Sequence, residues 1–164
     1  RRQRQMCIRD SHILVPHEIA DSDLQPWENI LNFAGIRNIR KNNLADWNGE
    51  TVIIWNAVGE LADLYKTAML AYVGAGFSTG VHNVSEPAVY GIPVAFGPKY
   101  DILAEAIEMV DLQIAMLIHH SADLIQFYRL LHDTDKYKVL CEQTKAHVES
   151  RRGAANMILN RLQL

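Results

Sequence analysis

Short β-branched and apolar runs alternate along this chain with stretches whose apolar residues recur every three or four positions, and that alternation restricts the fold more than any single motif. "HILVP" (12–16), "IRNIR" (36–40), "TVIIWN" (51–56), "LAYVGAG" (70–76), "PVAFGP" (93–98) and "LQIAMLI" (112–118) read as strands. Between them lie helical patterns: "DSDLQPWENILNFAG" (21–35), "GELADLYKTA" (59–68), a short helix ending at Gly91, "DILAEAIEMV" (101–110) and "SADLIQFYRLLHD" (121–133). In the first, Asp and Ser read as caps, Trp27, Ile30, Leu31 and Ala34 as the buried stripe, and Gly35 as the stop. In the second, Leu61, Leu64, Tyr65 and Ala68 share one face.

Strands that alternate with helices pair in parallel, because each helix carries the chain back across the sheet. Near-continuous apolar strands imply that both sheet faces are covered. The expectation is an α/β fold, a doubly wound, Rossmann-like parallel sheet of about six strands. Residues 134–164 read as extra C-terminal helices packed on the sheet or on a neighbouring domain, with Tyr137, Leu140, Val148, Ile158 and Leu162 at helical spacings and Gly153 as a break.

At 164 residues and 49% hydrophobic content, the chain suffices for one well-buried core, read here as one domain over 12–164. Residues 1–11, "RRQRQMCIRDS", read as a non-native or disordered extension, since "MCIRDS" looks like a translated sequencing adapter. Arg1, Arg2, Arg4 and Arg9 are four of the 16 basic residues; the other 12 face 19 acidic ones, so no nucleic-acid partner is expected. No run approaches 18 continuous apolar residues, which excludes a spanning helix from this sequence. Cys7 and Cys141, without a CxxC, suit a reducing compartment and offer no disulfide framework or zinc site.

In an open parallel sheet, ligands sit beyond the carboxyl ends of the strands. "PHE", "NAVGE", "GAGFSTGVHNVSEP" and "GPKYD" fall there. Gly74, Gly76 and Gly80 match neither GxGxxG nor the P-loop spacing. Pro87 sets a helix start between Asn83 and Glu86, whose free amides and dipole would favour an anion. The spacing leaves two readings open. Asn83 and Glu86 fit a capping box with Asn83 at the N-cap and Glu86 at N3, and Glu86 equally fits a carboxylate accepting two hydrogen bonds from a ribose diol. Glu60, behind Gly59, similarly fits either a helix opening or a ligand. His119, His120, His132 and His147 lack metal spacing and read as structural. His17, directly after Pro16 and a strand, could donate to a phosphate or carboxylate.

Taken together, "LVPHE", "GELADLYKTAMLAYVGAGF", "GVHNVSEPAVYGIPVAFGP" and "ESRRGAANMIL" resemble the C-terminal half of 3-deoxy-D-manno-octulosonic acid (Kdo) transferases of glycosyltransferase family 30, enzymes of lipopolysaccharide assembly with the GT-B fold. The resemblance covers residues 12 to about 162 and keeps the family's motif order. It implies a domain that binds the donor CMP-Kdo through Pro16 and His17, through Val58, Gly59 and Glu60, and through Asn83, Val84, Ser85 and Glu86. Glu86 would hold the ribose, and Asn83 with the helix start would face the phosphate. No cofactor and no metal ligand from this half are implied. The catalytic Glu base and the surface for the lipid A precursor would belong to an N-terminal domain missing here, so the fragment would bind donor without transferring it. The full-length enzyme would act at the cytoplasmic face of the bacterial inner membrane. Two departures stand out: His17 replaces the usual Arg, exchanging a fixed positive fork for an imidazole, and Val81 occupies the second glycine of the family's GGHN. Two other readings stay open, a GT-B donor domain for a UDP-sugar and a non-catalytic nucleotide-binding module.

Overall fold

The computed structural model describes residues 11–49 and 51–151. Among the described residues, six strands form, all pairing in parallel, arranged as two three-stranded sheets. The chain divides into two compact units, up to Leu61 and from Ala62 onward. Each is described on its own.

The first unit runs β1 (His12–Leu14), α1 (Asp21–Phe33), β2 (Asn38–Arg40), a 3₁₀ turn (Lys41–Asp46) and β3 (Val52–Ile54). β3 lies between the other two and pairs His12 with Val52 on one side and Arg40 with Ile54 on the other. Val52 and Ile54 are buried, as β-branched residues of a central strand should be. α1 corrects the sequence reading on two points. Its N-cap is Ala20, with no side-chain cap, and Asp21 lies inside the first turn. Its buried stripe is also displaced. Leu24 is fully buried and Glu28 and Leu31 are half-buried, while Trp27, Ile30 and Ala34 are exposed. The reason is Glu28, a polar residue on the inward face. Both its oxygens accept from Arg40, at 2.7 Å each, and Arg40 also pairs with Asp21. Those two carboxylates push the guanidinium pKa further up. Gly35 ends the helix as expected: it takes φ +70° and the Ile36 N–H returns to the Leu31 carbonyl at 2.8 Å.

The second unit holds β4 (Ala71–Val73), α3 (Ser85–Val89), β5 (Val94–Phe96), α4 (Ala104–Asp111), β6 (Ala115–Leu117), α5 (Ser121–Arg129), a 3₁₀ turn (Leu130–His132) and α6 (Thr134–Ser150). α2 (Leu61–Tyr65) leads into it. The strand order is β4-β5-β6, and all three residues of β5 have no exposed surface. Val94 and Phe96 join one core with Val73, Val84, Ala88, Ala106 and Met109, whereas Ala95 points to a second with Ile118 and Phe127. Two apolar layers on opposite faces of one strand are what doubly wound packing requires.

α6 packs on the first of these cores through Leu140 and Val148. Its N-cap Asp133 accepts from the Lys136 N–H at 3.2 Å, and Tyr137 donates its hydroxyl to the Met69 carbonyl at 3.0 Å. The approach to α3 depends on Gly91, which takes φ +69°. A Cβ there would stand 3.3 Å from the Cys141 carbonyl and 3.2 Å from the Lys145 Cβ. The helical reading of 134–164 therefore holds as far as Ser150. Gly153, Ile158 and Leu162, most of "ESRRGAANMIL" and residues 1–10 lie outside the described residues.

Candidate functional site

The expected site residues divide between the units. Pro16, His17, Val58, Gly59 and Glu60 belong to the first; Asn83, Val84, Ser85 and Glu86 belong to the second.

In the first unit, all five follow the carboxyl ends of strands. His17 is exposed after β1, with its Nε2 3.7 Å from a Glu18 carboxylate oxygen. The chain leaving β3 turns through residues 56–60. Gly59 takes φ +84°, a conformation favouring glycine, and a Cβ there would meet nothing within 4 Å. Val58 is 79% exposed. Glu60 then reaches back: Oε1 accepts from the Lys41 Nζ at 2.7 Å and Oε2 from the Trp55 Nε1 at 3.0 Å.

In the second unit, the segment after β4 forms a tight coil. Ala75 takes φ +67°, and its carbonyl accepts the Ser78 and Gly80 N–H groups at 2.9 and 3.2 Å. This coil is stitched to the loop after β5. The Lys99 N–H donates to the Gly76 carbonyl at 2.9 Å, the Val81 N–H donates to the Lys99 carbonyl at 2.9 Å, and Lys99 Nζ donates to the Ser78 carbonyl at 2.8 Å. Gly76 and Gly97 lie back to back, such that a Cβ on Gly76 would sit 2.6 Å from the Gly97 nitrogen. Val81, where the resemblance leads to glycine, needs no positive φ. Gly80 supplies it at +112°, and the Val81 side chain fills the core.

The helix start differs from the capping-box reading. α3 begins at Ser85 with Val84 as N-cap, which places Asn83 one residue before the cap and Glu86 at N2. Asn83 instead bridges: its Oδ1 accepts the Ser85 N–H at 3.0 Å and its Nδ2 donates to Glu86 Oε1 at 3.1 Å. Glu86 is exposed, whereas Val84 is fully buried in the core, main chain included, and offers a ligand no surface. The expected cluster of free amides shrinks accordingly. Ser85 has given its N–H to Asn83 and Pro87 has none, which leaves the Glu86 amide of the first turn.

Two residues not foreseen from spacing enter here. Tyr65, at the end of α2, is half-buried, and burial first and the Glu86 carboxylate second push its phenol pKa up. Lys99 is the lysine of the β4 and β5 loops. Their signal was weak because each reaches the site through pairing with a distant segment. Among the described residues, no group of three or more His, Cys, Asp and Glu could hold a metal ion, and no helix is long and apolar enough to cross a membrane.

No family model matches the chain. Curated proteins do. A 3-deoxy-D-manno-octulosonic acid transferase of Chlamydia muridarum is 30% identical over 103 residues, which is 60% of this chain and 24% of the relative. One from Aquifex aeolicus is 33% identical over 100 residues, 58% of this chain and 27% of the relative. One from Chlamydophila psittaci is 48% identical over 48 residues, 28% and 11% of the two chains. The chain thus spans about a quarter of the length of the first and second of these relatives. Among solved structures, the C-terminal CMP-Kdo binding domain of WaaA from Acinetobacter baumannii superposes with a TM-score of 0.75 at 20% identity, covering 86% of this chain and 74% of that one. Sequence and fold therefore agree on one relationship: the chain is similar to 3-deoxy-D-manno-octulosonic acid transferases, and it has the fold of the C-terminal domain of WaaA.

Proposed function

We propose that this chain is the donor-binding part of a Kdo transferase, holding CMP-Kdo while the sugar is passed to a lipid A precursor with inversion at the anomeric carbon. The supporting observation is that one chain combines sequence similarity to Kdo transferases with the fold of a CMP-Kdo binding domain. Glu86 is the residue best suited to a ribose diol: Asn83 fixes one carboxylate oxygen, and the side chain remains exposed at the carboxyl edge of its sheet. Lys99 offers a cation to the phosphate, a role that the one remaining α3 amide fills poorly. When the bond between the sugar and the phosphate breaks, negative charge grows on the departing CMP, and such fixed donors stabilise it.

In this reading, the base that deprotonates the acceptor hydroxyl and the surface for the lipid substrate belong to another domain of a longer protein working at the cytoplasmic face of the inner membrane. A UDP-sugar donor domain is the second reading, because a ribose diol is common to both nucleotides. Titration calorimetry with CMP and with UDP separates them. CMP should bind and UDP should bind more weakly. Glu86→Ala should weaken CMP by about 1–3 kcal/mol, the scale of hydrogen bonds to a charged group. Unchanged CMP affinity in a folded Glu86→Ala protein would refute the ribose role, and tighter binding of UDP would refute the Kdo donor.

A further inference from the structure

Lys41 is the first residue after β2 and Trp55 the first after β3. Because Arg40 pairs with Ile54, the strand register stands these two side by side at the carboxyl edge of the first unit's sheet. Glu60 returns to them five residues later. Each member of the trio touches the other two. Lys41 Nζ is 2.7 Å from Glu60 Oε1, Trp55 Nε1 is 3.0 Å from Glu60 Oε2, and Lys41 Nζ stands 5.3 Å from the centre of the Trp55 ring. A carboxylate gripped at both oxygens loses its rotational freedom, and the ammonium over the indole face adds a cation–π contact.

At the tip of the turn that this clasp closes, side-chain contact is sparse. No atom lies within 4 Å of where a Gly59 Cβ would be, and Val58 is 79% exposed, so side-chain packing does not fix the left-handed turn. We infer that Lys41 and Trp55 are positioning residues of the donor site, acting through Glu60 to hold the main chain of Val58 and Gly59 in the form that meets the nucleotide sugar. The inference rests on the donor reading above and changes one role within it. The Glu60 carboxylate serves the protein's own turn, and the ligand meets backbone.

The test uses the 164-residue chain with CMP as probe. Calorimetry gives the affinity of the wild type, Lys41→Met, Trp55→Phe, Glu60→Gln and the Lys41→Met/Glu60→Gln double variant; thermal melting reports whether each is folded. Hydrogen exchange of the amides at 58 and 59 is followed without ligand. The expected result is that each single change weakens CMP about 3- to 10-fold, that the double change is no worse than the worse single one, and that Lys41→Arg restores most of the affinity. Exchange at 58 and 59 should quicken while the β3 amides stay protected, a pattern that a general loss of stability would not produce. Wild-type binding with unchanged affinity in the folded variants, additive losses, or unaltered exchange at the turn would each overturn the inference. Absence of CMP binding by the wild type would overturn the donor reading and this inference with it. Trp55→Phe removes the indole N–H while leaving a smaller aromatic face for Lys41, and it carries no charge change, so it supplies a decision even if a charge variant fails to fold.

Discussion

At the scale of single residues, Ala75 is the position where local conformation and residue type disagree. A side chain at φ +67° costs about 1–2 kcal/mol relative to the right-handed region, whereas glycine would bring an extra entropy cost of about 0.5–1 kcal/mol. Ala75→Gly should therefore raise stability slightly, by roughly 0.5–1 kcal/mol, in a urea titration. Loss of stability would show that the surrounding hydrogen bonds, and not the dihedral angle, dominate the coil. Glu86 and Glu60 make a second contrast at this scale. One stands in the first turn of its helix and the other just before one, and both read as ligand or helix opening from spacing, yet Asn83 leaves Glu86 exposed with one oxygen engaged, while Lys41 and Trp55 occupy both oxygens of Glu60. Sequence distance could not separate them, because Lys41 reaches Glu60 through strand pairing across 19 positions.

At the scale of elements, strands and helices were legible because their signals are local. Val52, Ile53 and Ile54 are β-branched neighbours, and Gly35 marks a real helix end. The inward face of α1 was not legible, since Glu28 lies on it and a polar residue reads as solvent-facing unless its partner Arg40 is known. The α3 start falls between Asn83 and Glu86, as Pro87 indicates, but the capping box does not form, for a similar reason: Asn83 spends its side chain on Ser85 and Glu86, and the N-cap is Val84. Between elements, Gly91 decides how closely α6 approaches. Gly91→Ala places a methyl at φ +69° and against the Cys141 carbonyl, so it should destabilise by about 2 kcal/mol or more. A thermal melt unchanged from wild type would show that α6 can shift to accommodate it.

At the scale of the whole molecule, titrating groups predict where stability fails at the extremes of pH. The Asp123 carboxylate accepts the His119 and His120 N–H groups at 2.8 and 2.9 Å, which lowers its pKa. A lowered carboxylate stabilises the fold above its unfolded pKa, and that contribution disappears as pH falls through the folded value. Asp123→Asn should flatten the acid limb of a melting-temperature profile. Burial, with smaller contributions from Cys141, pushes the Tyr137 hydroxyl up to about 12. Stability held by the neutral phenol is complete below the ordinary tyrosine value near ~10 and declines as pH rises toward 12. Tyr137→Phe should remove that alkaline decline, and a decline that persists would assign it to other groups.

The seam between the coil after β4 and the loop after β5 bears on how fast a ligand can be captured. Two backbone bonds, the Lys99 ammonium and a pair of glycines in contact make these segments one stiff lip. If the donor reading proposed above holds, a lip of this kind has no slow closing step to wait for, so CMP capture should follow a single exponential whose rate climbs linearly with concentration in stopped flow, with no plateau.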